Sequence, residues 1–568
     1  INSFNLDPQI VRKLHERCCS CLSSLTTILV VSSLLSPLLT SCTKTYKLSI
    51  KELKQEVIKT FYNLTSIVHT SNVRTNNEYN NLRNIKNYYK SIVQSYNLTW
   101  VEQPDDLSHQ YEGNAYFDIP ATNGYQNNPA IILQAHMDIV YVNKDPHTNK
   151  YNYKINLVNT FDSQGNNIIK SDGMTNSGAD NGIGVATILA LAKYQDKFNH
   201  GLIRCILTTD EEQGCNGAQY VPSSWFKYQN KKIKYLLNLD WETLDQICVA
   251  SSGVYRPIYS CNFNSDQITN LSSNSNYTTY KFKSCGFKGG HNLNASIHAN
   301  ALLPLLGCIK DISYDYSDYC ISYMITPDTW SEQTTNIPKS AEICISFNTD
   351  GDDITNEING DLQVLRNMIV NNYEDENKDA ICSVEKVSNP TKALTKQVSS
   401  NIFNMLINLP NGKIVYDKFN PIEDISGNLS PLYLDLNIDQ PQFSVMSMLR
   451  AYNDKTISEY NTDMDKLYTD YLSTYPNAKI TTQASYPAWV GNDNRLIKKV
   501  QDGYKDIKLK PESVFVNSGL ENSMFVDKVK NIATSGPTIV NSHEVEETLY
   551  VDTLDPYLEV VLYVLEHI

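Results

Sequence analysis

The chain is short of positive charge. Lys and Arg total 48 against 62 Asp and Glu, a net charge of −14. That balance excludes nucleic acid as a partner, because phosphate binding needs a basic face. Low complexity and internal repeats are also missing. With 41% hydrophobic and 19% charged residues the composition is globular, which excludes wholesale disorder. After Leu39 no apolar run reaches the roughly 20 residues of a membrane span. The CxxC spacing of Cys18 and Cys21 has no second pair to match it, so a cysteine zinc site is not expected. Of 13 cysteines, Cys18, Cys19, Cys21 and Cys42 lie in the first 42 residues. The others are scattered, several inside apolar runs (Cys205, Cys248, Cys344), and are expected as buried free thiols. A chain of 568 residues is too long for one core, so two or more domains are expected.

What is present begins with a leader. Arg12, Lys13 and Arg17 precede the apolar stretch Leu25 to Leu39, and Leu39-Thr40-Ser41-Cys42 follows. A basic segment, a short apolar segment and small residues describe an export signal. At 15 residues the stretch is short for a membrane span. It resembles a bacterial lipoprotein signal, in which Cys42 becomes the lipidated N-terminus. Residues 1–42 are therefore read as an export signal. The expected location is the outer face of the cell membrane, with the cytoplasm as the alternative.

Residues 46–96 carry apolar side chains at three- and four-residue spacing and read as helices. From Trp100 strand patterns take over: NAYFDI, AIILQAHMDIV, LIRCILTT and KYLLNLDW. A helix from Asn181 to Tyr194 lies among them. Strands alternating with helices imply an α/β sheet, whose ligands gather at the carboxyl ends of the strands. Beyond Gly253 the character changes to β-rich pieces (YTTYKFKSCGFKGG, AEICISFN, QFSVMSML) and amphipathic helices. The α/β character returns near Ala484. The expected organisation is a catalytic domain in two parts, 46–254 and 484–568, with an α+β domain inserted at 255–483.

Five metal-type side chains close or follow apolar runs: His136, Asp180, Glu212, Asp240 and His543. Two imidazoles and three carboxylates, one of them able to bridge, suit two zinc ions about 3.5–4 Å apart. Co²⁺ or Mn²⁺ could replace zinc at such nitrogen and oxygen sites. Such a pair makes hydroxide at neutral pH and polarises a carbonyl, which points to amide hydrolysis. In His136-Met137-Asp138, positions i and i+2 share a strand face, so Asp138 can orient the imidazole. Asp180 lies in a glycine-rich turn at a helix start, where it could equally be a cap. Glu211 and Glu212 are adjacent and point apart, so one can bind metal while the other moves protons.

With LQAHMDIV, GADNGIGVA, LTTDEEQGCNGA, NLDWE, GFKGGHNLNASIHANALL, SYPAW, NSGLENSMF and SGPTI in view, the chain resembles the Xaa-His dipeptidases of the peptidase D type. These are a branch of the co-catalytic zinc peptidases that includes carnosinases and aminoacylases. The resemblance covers all but the N-terminal segment. It implies an α/β catalytic domain with helices on both sides of a mixed sheet, plus an inserted lid domain through which a homodimer could form. It implies that Asp180 bridges two metals, that His136 and Asp240 complete one site, and that Glu212 and His543 complete the other. Asp138 would orient His136, and Glu211 would be the general base. His291 would help hold the oxyanion, with His298 as runner-up, and Arg450 would clamp a substrate carboxylate. The implied substrates are short peptides, dipeptides foremost, with a C-terminal His one choice. A related aminoacylase or tripeptidase is the neighbouring reading, and a peptide-binding surface lipoprotein without catalysis is the reading from another class. Three departures bear on substrate choice. Asn517 stands where His is expected before GLE, Glu544-Val545-Glu546-Glu547 replaces a Ser-Pro-acidic run, and Thr335-Asn336-Ile337-Pro338 is shifted.

Overall fold

The computed structural model describes residues 48–568 apart from 72–80, 105–112, 141, 145–153, 213, 292–294, 296, 330–335, 374–376, 416–419 and 492–493. The leader and Cys42 lie outside the described residues. None of the described helices is long and apolar enough to cross a membrane.

Two sheets organise the chain. The first has six strands in the order Trp100–Glu102, Ala115–Ile119, Ile203–Thr208, Ile131–His136, Tyr235–Asn238 and Asn531–Thr534. The last four run parallel, and the first two are antiparallel additions at one edge. Ile131–His136 and Ile203–Thr208 are buried at every position, as the continuous apolar runs of a covered parallel sheet require. The helix Ala179–Lys193 is apolar on all sides and buried through Ala192, and it packs between the helix Ile50–Leu64 and the sheet. The helix Ile50–Leu64 starts at Ser49, whose side chain accepts a hydrogen bond from the Glu52 N–H and so satisfies an orphan donor of the first turn. The C-terminal helix Leu554–His567 packs on Ile50–Leu64 and on Arg495–Asp506, tying the two ends of the described chain together.

The second sheet is wholly antiparallel. Its order is Ile381–Val387, Tyr277–Cys285, Ala341–Asn348, Tyr319–Ile325, Ile425–Asp435, Gln442–Ala451, Gly253–Asn262 and Lys479–Tyr486, with Gly412–Val415 paired to Ile425–Asp435. Helices Leu302–Asp315, Thr355–Asn372, Lys396–Asn408 and Asp454–Tyr471 accompany it, and their apolar residues share one core with the sheet. This core draws on residues from Tyr255 to Leu472. The core of the first sheet draws on residues from Leu48 to Cys248 and again from Trp489 to Leu565. A small cluster of Val254, Ala295, Ile337, Met448 and Ala484, with Tyr486 packed against it, lies apart from both. Among the described residues nine cysteines are free thiols, seven of them buried.

Candidate metal centre

The carboxyl ends of the four parallel strands all face one edge of the first sheet, and the chemistry-bearing residues follow from that. His136 is the last residue of Ile131–His136. Glu211 and Glu212 follow Ile203–Thr208, and Asp240 follows Tyr235–Asn238. His543 lies beyond Asn531–Thr534, after the SGPTI segment. Asp180 enters from the start of Ala179–Lys193, where Asp180 and Asn181 keep non-helical angles before the regular turns begin.

These five residues, scattered over some four hundred positions of sequence, fall into two groups that share one carboxylate. His136, Asp180 and Asp240 form one group, and Asp180, Glu212 and His543 the other. His136 Nε2 lies 3.1 Å from Asp180 Oδ1 and 3.4 Å from Asp240 Oδ1. His543 Nε2 lies 3.2 Å from Asp180 Oδ2 and 2.9 Å from Glu212 Oε2. Asp180 thus offers one oxygen to each side. His136 also groups with Glu211 and Glu212.

The orientation of His136 is set by its other nitrogen. Nδ1 donates to the Asp138 backbone carbonyl at 2.9 Å, which can only accept. Nε2 is therefore the nitrogen that faces the cluster. The Asp138 carboxylate lies 3.5 Å from the same Nδ1. It also accepts hydrogen bonds from the Glu211 and Glu212 backbone N–H groups at 3.1 and 3.2 Å, and from the Ser71 hydroxyl at 2.5 Å. One side chain therefore ties the strand that ends in His136 to the loop that carries the paired glutamates.

The electrostatics are those of a crowded acid cage. Burial would lower the His136 pKa, but Asp240, Asp138 and Asp180 outweigh it and raise the imidazole well above its ordinary value. Burial would raise Asp180, yet hydrogen bonds and charge from His136 and His543 hold it far below the usual carboxylate range. Glu212 is pushed up to about 7, by burial first. Burial also drives Glu211 well above its ordinary value, with Glu212, Asp240 and Glu521 adding to it. His543 is raised chiefly by the charge of Glu212, although 49% of its side chain is open to solvent, which screens the attraction.

This donor set fits divalent metal. Two imidazoles face four carboxylates, Asp180, Glu211, Glu212 and Asp240, and buried carboxylates without enough counter-charge are costly. Among the described residues Glu212 Oε1 is buried without a hydrogen-bond partner, an acceptor that a cation would satisfy. Hard and borderline divalent ions with nitrogen and oxygen preference suit the set.

Further acids stand behind the cage. The Glu547 carboxylate accepts from the Ser177, Gly178 and Asp180 backbone N–H groups at 2.8, 2.7 and 2.9 Å, and so holds the turn that presents Asp180. Glu521 is buried, accepts from Gln134 Nε2, and is pushed up to about 8, by burial first. Glu242 is likewise pushed up to about 8, by burial and then by the charge of Asp180. The motifs NSGLENSMF, NLDWE and the acidic run after His543 marked these stretches in the sequence. Nothing in the spacing assigned the individual glutamates.

The remaining predicted positions are distributed as follows. His291 ends a two-residue strand, Gly290–His291, paired with Asn336–Ile337; its side chain lies outside the described ones. The imidazole of His298, the runner-up, is buried, with Nδ1 2.6 Å from the Gly289 carbonyl. Arg450 is buried near the end of Gln442–Ala451 in the second sheet. Asn517 Nδ2 donates to Ser426 Oγ at 3.3 Å, across to that same sheet.

Imidazoles and carboxylates at the carboxyl edge of a largely parallel sheet, gathered around a shared Asp, define a metal-dependent hydrolase. The chain belongs to peptidase family M20/M25/M40, whose model matches residues 132–567. It is a metallopeptidase, and its substrates are peptides. The cytosol non-specific dipeptidase of Escherichia coli strain K12 is 23% identical over 494 residues, covering 85% of this chain and 94% of the relative. Among solved structures, the aminoacylhistidine dipeptidase of Vibrio alginolyticus matches with a TM-score of 0.70 at 20% identity, covering 90% of this chain and 96% of that one. A tripeptidase of Staphylococcus aureus matches with a TM-score of 0.51 at 14% identity, covering 90% and 98%.

Proposed function

We propose that the chain hydrolyses short peptides, dipeptides foremost, at a centre of two zinc ions. The observation that carries this reading is the sharing of Asp180 between two ligand groups, one oxygen to each. His136 and Asp240 would hold one ion, Glu212 and His543 the other, with Co²⁺ or Mn²⁺ as possible replacements. Such ions, when bound, activate water and polarise the scissile carbonyl.

The chain's own groups do the rest. Glu211 is the general base: it takes a proton from the attacking water and hands it to the leaving amine. Burial and the neighbouring negative charge raise its proton affinity, which suits a group that must take a proton from water. Asp138 keeps His136 and the Glu211 loop in register. His291 contributes to the oxyanion site and Arg450 clamps the substrate carboxylate. The second sheet and its helices act as an inserted lid, through which a homodimer could form. The proposed crossovers stand at residues 254 and 484, and the strand Lys479–Tyr486, which pairs with Gly253–Asn262 of the lid sheet, runs across the second of them.

The names of the Escherichia coli and Vibrio alginolyticus proteins support a dipeptide, with a C-terminal His as one substrate choice, and the tripeptidase of Staphylococcus aureus keeps tripeptides as the neighbouring reading. The test is turnover of a panel of dipeptides, tripeptides and N-acyl amino acids before and after chelation. Chelator-sensitive cleavage of dipeptides supports the reading. Metal-loaded protein that binds peptides without turnover, and does so equally as Glu211→Ala, favours the binding lipoprotein. For location, the leader supports a lipid anchor on Cys42, while the cytosol dipeptidase of E. coli as a relative supports the cytoplasm. Mass spectrometry of the native N-terminus separates the two: a lipidated Cys42 or an unmodified leader.

A further inference from the structure

A second arginine shares the lid face with Arg450. In the antiparallel register Ser426, Arg450, Val254 and Tyr486 lie side by side across four strands. Residues directly opposite each other point to one face, so these four share it. Arg256 sits two positions along from Val254, on that same face, opposite Ala484. The other face is accounted for: the Tyr255 and Tyr259 hydroxyls both donate to Asp465 of the helix Asp454–Tyr471.

This arginine-bearing face meets the loops of the metal centre. A Cβ placed on Gly519 would fall 2.2 Å from the Tyr486 ring, so the ring lies against the segment that leads to Glu521. A Cβ on Gly214 would lie 3.9 Å from Ala484 Cβ, so the residue opposite Arg256 packs on the loop carrying Glu211 and Glu212. Arg450 and the Tyr486 phenol both lie close enough to act electrostatically on Arg256, and Arg450 acts in the same way on Tyr486.

Arg256 is not built as a structural ion pair. Among the described residues it has no carboxylate in ion-pair distance, and its Nε is buried without a hydrogen-bond partner. Burial and the positive charge of Arg450 both disfavour its cationic form. A guanidinium half-buried beside a second one is costly until an anion reaches it, and its planar fork matches a carboxylate.

Resting on the dipeptidase reading, we infer that Arg256 is a specificity-determining residue. With Arg450 it forms a two-guanidinium wall that selects peptides carrying two carboxylates on their C-terminal residue. Arg450 takes the main-chain carboxylate and Arg256 the side-chain carboxylate of a C-terminal Asp or Glu. A C-terminal His, when protonated, is disfavoured by the same wall.

The test compares kcat/KM for Ala-Glu and Ala-Gln, which differ in charge and hardly in shape, using the zinc-loaded full chain. The wild type is expected to prefer Ala-Glu by on the order of tenfold or more, mostly in KM. Arg256→Gln should bring the ratio near one, and Arg256→Lys should keep part of it. Metal content and thermal midpoint of each variant are read in the same preparations. A wild-type ratio near or below one overturns the inference without need of any variant, as does a ratio that survives in Arg256→Gln. If the wild type cleaves neither peptide, nor any neutral dipeptide, it is the dipeptidase reading that fails.

Discussion

At the scale of single residues, Glu211 carries the sharpest expectation. It is held beside the cage by Asp138, which accepts from its backbone N–H, while its own carboxyl groups with His136 and Glu212 and not with the shared Asp180. Glu211→Gln keeps the shape and removes the proton shuttle. We expect kcat to fall by about 10²–10⁴-fold while metal content and KM stay close to wild type. Steady-state kinetics with metal analysis checks this, and loss of metal together with activity would instead make Glu211 a ligand. The candidate ligands were legible in the sequence because each acid or imidazole ends an apolar run, where burial is expensive without a partner. The supporting acids were not. Glu547 looks in sequence like one of several solvated acids, since Glu544 and Glu546 precede it in the same short run. Only the fold brings its carboxylate onto the turn before Asp180. Arg256 was invisible for a similar reason: it sits in a strand pattern, and its face is decided by the register with Ala484.

At the scale of elements, the site depends on turns more than on strands. The parallel strands deliver His136, Glu212 and Asp240 to one edge, whereas Asp180 depends on a turn of Ser177, Gly178 and Ala179 held by Glu547. Glu547→Ala leaves the Ser177, Gly178 and Asp180 N–H groups unpaired, at about 1–3 kcal/mol for each of the first two, which are buried. A lower thermal midpoint and weaker metal affinity are therefore expected. Unchanged metal affinity would show that the turn holds its shape without the carboxylate. Another constraint is steric. A Cβ on Gly536 would sit 1.6 Å from the Trp241 carbonyl, so the SGPTI segment passes against the residue after Asp240 with no room for a side chain. Strand and helix patterns along the chain were readable because apolar spacing is local. Pairing was not, because Gly253–Asn262 joins strands from residues 442–451 and 479–486 that no local pattern connects to it.

At the scale of the molecule, a frame built from both halves of the sequence encloses a second unit with its own core, and the contact between them carries Tyr486, Gly519, Ala484 and Gly214. The change of composition past Gly253 announced the insertion, because antiparallel strands and amphipathic helices read differently from buried parallel ones. How its sheet faces the cage could not be read that way. Metal-dependent hydrolysis places its demand on the whole arrangement: His136, Asp180, Glu212, Asp240 and His543 must stay together in solution. In the metal-free protein the raised imidazoles and Glu212 hold protons that metal must displace, so binding tightens as pH rises. The most direct measurement is a zinc titration of the chelated protein, followed at once by calorimetry, proton release and dipeptide turnover. Two equivalents bound per chain with release of protons, and turnover appearing as the centre fills, is the result expected here. Full turnover in metal-free protein, or two bound equivalents in His543→Ala and Asp180→Asn as in the wild type, would contradict it.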